Sequence, residues 1–218
     1  MRMIASLATG QRYNVLLDRL VGSTNGEPIS VWRDSYPDGS PTHQQIPYGF
    51  KAFILKGLSE KYETLLWLDS SVVILKSLEP LWELIERQGY WFSSNQPHNC
   101  GEWTCDSALA PLEISREEAF GIPQVMGTAF GLSMKHELSH KLLSQYFELA
   151  QGQAFCGPWA NDRGQASPDK RVKGHRHDQT VLSVLAKRAG MALSDPPIWI
   201  ADAGCTKPTE ETLLAIRR

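Results

Sequence analysis

No run of about 18 apolar residues occurs in this chain of 218 residues, so no segment is suited to cross a bilayer as a helix. An excess of one charge is also missing. The 22 Lys and Arg residues against 24 Asp and Glu give a formal charge of −2, which supplies no global field toward nucleic acid or an anionic membrane. Cysteine is scarce: Cys100, Cys105, Cys156 and Cys205 form no Cys-x-x-Cys pair, and free thiols are expected. The alternative is a structural zinc on His98, Cys100 and Cys105 with Cys156 folded back, at the limit of the usual ligand spacing. Several enzyme signatures are absent as well. There is no Gly-x-x-x-x-Gly-Lys-Ser/Thr and no Gly-x-Gly-x-x-Gly behind the first apolar run, which removes support for P-loop and dinucleotide-binding classes. Neither a Gly-x-Ser-x-Gly elbow nor His-Glu-x-x-His is present.

What is present is an ordinary globular composition, 42% apolar and 21% charged, with no internal repeat and no linker. A single α/β domain over 1–218 is expected. Met3 to Ala8 reads as a first strand rather than a leader segment, because polar Gln11-Arg12 follows directly, and the chain reads as cytoplasmic. Tyr13, Leu16, Leu17 and Leu20 recur at helical spacing, and Ile29 to Trp32 is a short strand. A stripe of Phe50, Phe53, Ile54, Leu58 and Tyr62 predicts a helix, followed by the strand Thr64 to Leu68, which ends at Asp69. After Val72 to Leu75, the stretch Glu79 to Gln88 reads as a helix with Pro80 in its first turn and Gly89 closing it. Tyr90 begins a strand, Asn95 to Leu112 reads as a long loop, and Ser115 to Glu118 is a capping box. A strand over Met126 to Met134 and a helix through Leu138, Leu142, Leu143, Tyr146 and Phe147 come next. A second long loop, Gly152 to Gly174, leads to a helix ending at Arg188, and a final helix is expected from Thr209. Strands alternating with helices imply a mostly parallel sheet covered on both faces, with ligands at the carboxyl ends of the strands.

Three features lie on or near that edge. Asp69, emerging from an apolar strand with Ser70 and Ser71 behind it, either caps local amides or binds a divalent ion or a ribose hydroxyl. His177, Asp178 and Gln179 place an imidazole, a carboxylate and an amide at one helix start, where Asp178 is also a natural N-cap. The loop carrying Arg163, Lys170, Arg171, Lys173 and Arg176 is either a solvated face or a phosphate-binding segment. Among the seven tryptophans, Trp103 is the candidate for stacking on an acceptor.

The segments Tyr48-Gly49-Phe50-Lys51-Ala52-Phe53, Leu66-Trp67-Leu68-Asp69-Ser70-Ser71 and Glu79-Pro80-Leu81 resemble the core of GT-A-fold glycosyltransferases. The likeness is to the glycogenin-like and bacterial lipopolysaccharide galactosyltransferase-like group and to related small bacterial or phage proteins. Residues 48–82 and 175–188 carry it. The resemblance implies a single Rossmann-like GT-A domain, a nucleotide-sugar donor, Mn²⁺ or Mg²⁺, and an acceptor hydroxyl on a glycan or on a hydroxymethylated base of phage-type DNA. By the same resemblance Thr9, Arg12 and Tyr13 cradle the nucleoside, Lys51 the phosphates, and Gly127 and Thr128 the donor sugar, with Lys173 and Arg176 nearby. Asp69 meets the ribose or metal, His177 completes the metal shell, and Asp178 with Gln179 forms the catalytic pair. The group's Asp-x-Asp is here Asp69-Ser70-Ser71, so the shell lacks a carboxylate, and either a histidine or the basic loop must compensate. Two other functions compete with transfer: a catalytically silent sugar-nucleotide or glycan binder, and a metal-dependent hydrolase built on Asp69, His177 and Asp178.

Overall fold

The computed structural model describes residues 1–194, 199–202 and 207–217. Its main sheet takes β1 (Arg2–Ala8), β2 (Ile29–Arg33), β3 (Thr64–Leu68), β5 (Tyr90–Asn99) and β6 (Pro123–Ser133) in the order β2-β1-β3-β6-β5. β1 pairs in parallel with β2 and β3, while β6 runs antiparallel to both of its neighbours, β3 and β5. One reversed strand therefore interrupts an otherwise parallel set. A second sheet, β4-β8-β7, joins β4 (Val72–Ile74), β8 (Leu214–Ile216) and β7 (Ile200–Asp202).

Strand periodicity sorts the core. Met3, Ala5 and Leu7 of β1 and Leu65 and Trp67 of β3 point to one face; Ile4, Ala8, Leu66 and Leu68 point to the other. Both faces are covered, which is why β3 is buried along its whole length and reads as a continuous apolar run. The first face packs α2 (Phe50–Leu58), α6 (Glu137–Leu149) and α7 (His177–Arg188) through Phe50, Ile54, Leu142, Leu143, Val181 and Leu182. The second packs α1 (Gln11–Gly22), α3 (Glu79–Gln88) and the small sheet through Leu17, Leu20, Trp82, Ile85, Val72 and Leu214. Helix α3 closes on Gly89 at φ 98°, a left-handed conformation suited to glycine. Between β5 and β6 along the chain lie two short helices, α4 (Asp106–Leu109) and α5 (Arg116–Phe120). Helix α5 opens on the expected capping box: Ser115 Oγ accepts from the Glu118 amide, and the Glu118 carboxylate accepts from the Ser115 amide.

Two expectations are corrected. The segment from Asn95 is not a loop until Asn99, because β5 continues through polar residues by backbone pairing with β6, where Asn99 faces Pro123; side-chain periodicity is blind to that ladder. The helix expected from Thr209 is instead a turn followed by β8. The apolar run Leu213 to Ile216 sits between β4 and β7, and pairing both of those strands outweighs local helix propensity. The thiols of Cys100, Cys105 and Cys156 are free, and Cys205 lies outside the described residues. Burial pushes the Cys100 thiol up to about 12, and Cys105 Sγ lies against Ser107 Oγ and the Cys156 carbonyl, so these sulfurs are not arranged as zinc ligands. Among the described residues no helix is long and apolar enough to cross a membrane.

Candidate active site

The period of β3 that buries Trp67 also sends Asp69, two residues on, to the same face just past the strand end. There the Trp67 indole N–H donates to Asp69 Oδ1 at 2.7 Å. The Asp69 amide donates to the Thr128 carbonyl at 2.8 Å, which extends the β3–β6 ladder by one step and holds Gly127-Thr128 against the carboxylate. Opposite, α2 delivers Lys51 from its first turn. Phe50, Ala52, Ile54 and Leu55 anchor that helix on the sheet, and Lys51 is 1% exposed.

A buried ammonium is tolerated only when its three N–H bonds are met. Lys51 Nζ donates to the Gly127 carbonyl at 2.8 Å, to Asp178 Oδ2 at 2.8 Å and lies 2.9 Å from Asp69 Oδ1. The rings of Tyr48 and Trp67 stand 4.8 and 5.2 Å from the same nitrogen. Burial alone would lower the Lys51 pKa, but Asp178 and Asp69 together outweigh it and hold the group above the ordinary lysine range. Burial raises the Asp178 carboxyl to about 6 in spite of Lys51, with the neighbouring Asp69 charge adding to the rise. The side chain of Asp178 is 4% exposed and that of Asp69 is 28% exposed, so Asp69 is the member of the cluster that faces outward.

Glycine at 127 is a packing requirement. A Cβ there would lie 2.7 Å from Gln179 Cγ and 2.9 Å from Asp178 Oδ2. Two non-glycine residues beside the cluster adopt left-handed backbone, Tyr48 at φ 61° and His177 at φ 41°, and strained positions of this kind gather at functional sites. The His177 ring is fully buried, edge-on to Trp159 at 4.2 Å and 6.1 Å from the Tyr48 ring. Its Nδ1 donates to the Phe155 carbonyl at 2.9 Å, which leaves Nε2 as the lone-pair nitrogen, without a partner among the described residues. Burial lowers the pKa of His177 to about 4 and that of His175 to about 3, so both rings are neutral at neutral pH.

The structure thus brings Lys51, Asp69, Gly127, Thr128, Asp178 and Gln179 together. Arg12 and Tyr13 stand exposed on the first turn of α1, next to half-buried Thr9 at the carboxyl end of β1. Ser71 follows Asp69 before β4 and is half-buried. Trp103 belongs to a neighbouring cluster: its indole N–H donates to His98 Nδ1 at 3.1 Å, and the Arg176 guanidinium stacks 3.9 Å from its ring. Lys173 is paired with Glu102 at 2.8 Å, and Arg171 with Asp169 and Glu117. Lys51, expected at phosphates, is instead committed inside the protein by two hydrogen bonds and the ion pair with Asp69.

A divalent cation held by Asp69 and His177 does not fit these residues. Asp69 Oδ1 already accepts from Trp67 and faces Lys51, and Ser71 has a hydroxyl where a second carboxylate would serve. The His177 ring, although its Nε2 lone pair is free among the described residues, is fully buried with the Trp159 ring edge-on against it. No group of three His, Cys, Asp or Glu side chains among the described residues is placed to hold an ion.

Sequence reasoning did not find the parts played by Trp67, Tyr48 and Asp34. The Trp67-x-Asp69 spacing was a usable signal, since alternate strand residues share a face. Asp34, just past β2, accepts from the Gly10 amide and the Asn14 side chain, both at 2.6 Å, and so fastens the turn between β1 and α1.

No protein-family profile and no curated protein sequence matches the chain. Solved structures do. A glycosyltransferase involved in glycosylation of the major capsid of PBCV-1 aligns with 99% of this chain and 91% of its own, at 17% identity and a TM-score of 0.54. Mouse xyloside xylosyltransferase 1 aligns over 99% and 97%, at 10% identity and a TM-score of 0.55. The galactosyltransferase LgtC, solved with donor and acceptor sugar analogues, aligns over 99% and 86%, at 12% identity and 0.50. Such identities speak to the fold of the chain.

Proposed function

We propose, for a chain with the GT-A fold of glycosyltransferases, that it moves a sugar from a nucleotide-sugar donor to an acceptor hydroxyl. The observation that carries this reading is the Lys51, Asp69 and Asp178 cluster, set where β3 and β6 meet at the carboxyl end of the sheet. One ammonium there serves two carboxylates, so the cluster holds an excess negative charge in a poorly screened setting. That is the charge that favours the oxocarbenium-like centre formed when the anomeric carbon parts from the diphosphate. Asp178 and Gln179, packed on Gly127, orient the donor sugar. Asp69, the outward carboxylate, accepts from a donor hydroxyl, and Thr9, Arg12 and Tyr13 meet the nucleoside.

A glycan hydroxyl is the acceptor this reading favours over DNA. Two of the five cations of the basic loop, Arg171 and Lys173, are matched by Asp169, Glu117 and Glu102, which weakens a phosphate-tracking stripe. The test is a thermal-unfolding screen against UDP-, GDP-, CMP- and ADP-sugars, followed by donor consumption with glycan acceptors. A donor at a hundred times its Kd adds about 2.7 kcal/mol of stability. A shift with one nucleotide class, and turnover only when acceptor is present, is the expected result. Absence of any shift across the panel would sink the proposal, and donor cleavage independent of acceptor would point to a hydrolase.

Gly127→Ala supplies a local check. Its Cβ must displace Gln179 or Asp178, so turnover should fall at least about tenfold, with a stability loss of roughly 1–3 kcal/mol by urea titration. Wild-type turnover in this variant would show that the packing at residue 127 does not set the reaction geometry.

A further inference from the structure

Resting on the nucleotide-sugar reading above, we infer that Lys51 occupies the electrostatic place of a divalent cation at Asp69, so that a nucleoside diphosphate binds this site without one. The donor set is the first ground. Of the two carboxylates in the cluster, Asp178 is 4% exposed and bonded to Lys51, so a hydrated ion approaching from solvent has only Asp69 to meet. On Asp69, Oδ1 is already engaged by the Trp67 indole at 2.7 Å and the ammonium at 2.9 Å. What remains is one carboxylate oxygen, the hydroxyl of Ser71 and the neutral Nε2 of His177, a ring fully buried beside Trp159, whereas Mg²⁺ and Mn²⁺ sites take their affinity chiefly from charged oxygens.

The second ground is the fixed charge. Lys51 is not a mobile surface lysine that an incoming ion could displace. It donates to the Gly127 carbonyl and to Asp178, is ion-paired with Asp69, is 1% exposed, and the Tyr48 and Trp67 rings close over it. An ion seated on Asp69 would stand within a few ångströms of a permanent positive charge in surroundings that screen it weakly. The ammonium therefore does two things that a metal would otherwise do: it sets a positive charge against Asp69 Oδ1 and holds the orientation of that carboxylate. It does not reach the diphosphate. On this reading the charge leaving with the diphosphate falls to Arg12, exposed on the first turn of α1 behind β1.

The experiment has two arms on the full chain. In the first, Mn²⁺ alone is titrated and followed by electron paramagnetic resonance. No binding tighter than millimolar is expected, while Ser71→Asp, which restores a second carboxylate beside Asp69, should gain Mn²⁺ affinity by about tenfold or more. In the second arm, UDP, GDP and ADP are titrated calorimetrically in excess EDTA and again with MnCl₂. The diphosphate that binds should do so with affinities agreeing within about threefold. An affinity that collapses about tenfold or more in EDTA and returns with Mn²⁺ overturns the inference while leaving the proposed function standing. Tight binding of Mn²⁺ to the native protein, abolished by Asp69→Asn, overturns it too. If no nucleotide binds in either condition, the proposed function fails, and the Mn²⁺ arm still decides whether Lys51 excludes a cation.

Discussion

Lys51→Met should lower the free energy of unfolding by on the order of 3–5 kcal/mol, because removing one partner of a buried ion pair leaves the other charge stranded. The stranded charge is Asp178, whose side chain is 4% exposed, with Asp69 beside it. Methionine fills the volume and keeps the contact with the Tyr48 and Trp67 rings, so the loss isolates charge from packing. Adding Asp178→Asn to Lys51→Met should return more than about half of the loss, since the double variant no longer buries an unpaired carboxylate. Urea titrations of the four species at neutral pH measure this directly. A single Lys51→Met variant as stable as the native protein would show that the ammonium is not part of the folded framework. The sign of the pH dependence also follows. The folded Lys51 pKa lies above its unfolded value, so its contribution is present through neutral pH and is lost as pH rises through the alkaline range where the ammonium deprotonates.

Asp178→Asn should reduce turnover by about a hundredfold or more with little change in the far-ultraviolet spectrum, because it removes negative charge at the reacting sugar while keeping the shape. Native turnover should rise with pH through about 6, where burial has placed the Asp178 carboxyl, and the variant should lack that limb. Stability moves the other way. The folded carboxyl holds a proton that the unfolded chain releases near 4, so the contribution of Asp178 to stability is full below that point and declines as pH rises to about 6. An activity profile that is flat across pH 5 to 7, or near-native turnover in the variant, would remove Asp178 from the reaction.

Much of this arrangement was legible in the sequence because it rests on strand and helix periodicity. The apolar run ending at Asp69, the helix carrying Lys51 and the helix start near Asp178 each fell where local pattern put them, although Asp178 is not the N-cap. Arg176 holds that place, and the Asp178 carboxylate lies in the first turn and is taken by Lys51. Their meeting at one ammonium was not legible, since Lys51 and Asp178 are brought together only when α2 and α7 cover the same face of the sheet. Lys51 was expected to face ligand, and nothing in a single sequence distinguishes a lysine whose donors turn inward from one whose donors turn outward. The polar half of β5 and the strand β8 were missed for a related reason: each owes its conformation to backbone partners remote in the chain.

The position of β6 bears on how the protein reaches this state. The strand separates β3 from β5, yet it follows both along the chain and pairs with each in the opposite direction. Until residues 123–133 have been made and docked, β3, destined for the middle of the sheet, and β5, destined for its end, both lack the partner between them and present open edges, that of β3 apolar along its length. The search for these long-range pairings slows folding, and while it lasts those edges can recruit another chain. A product ending before residue 123 retains both edges and so self-associates rather than settling into a smaller sheet.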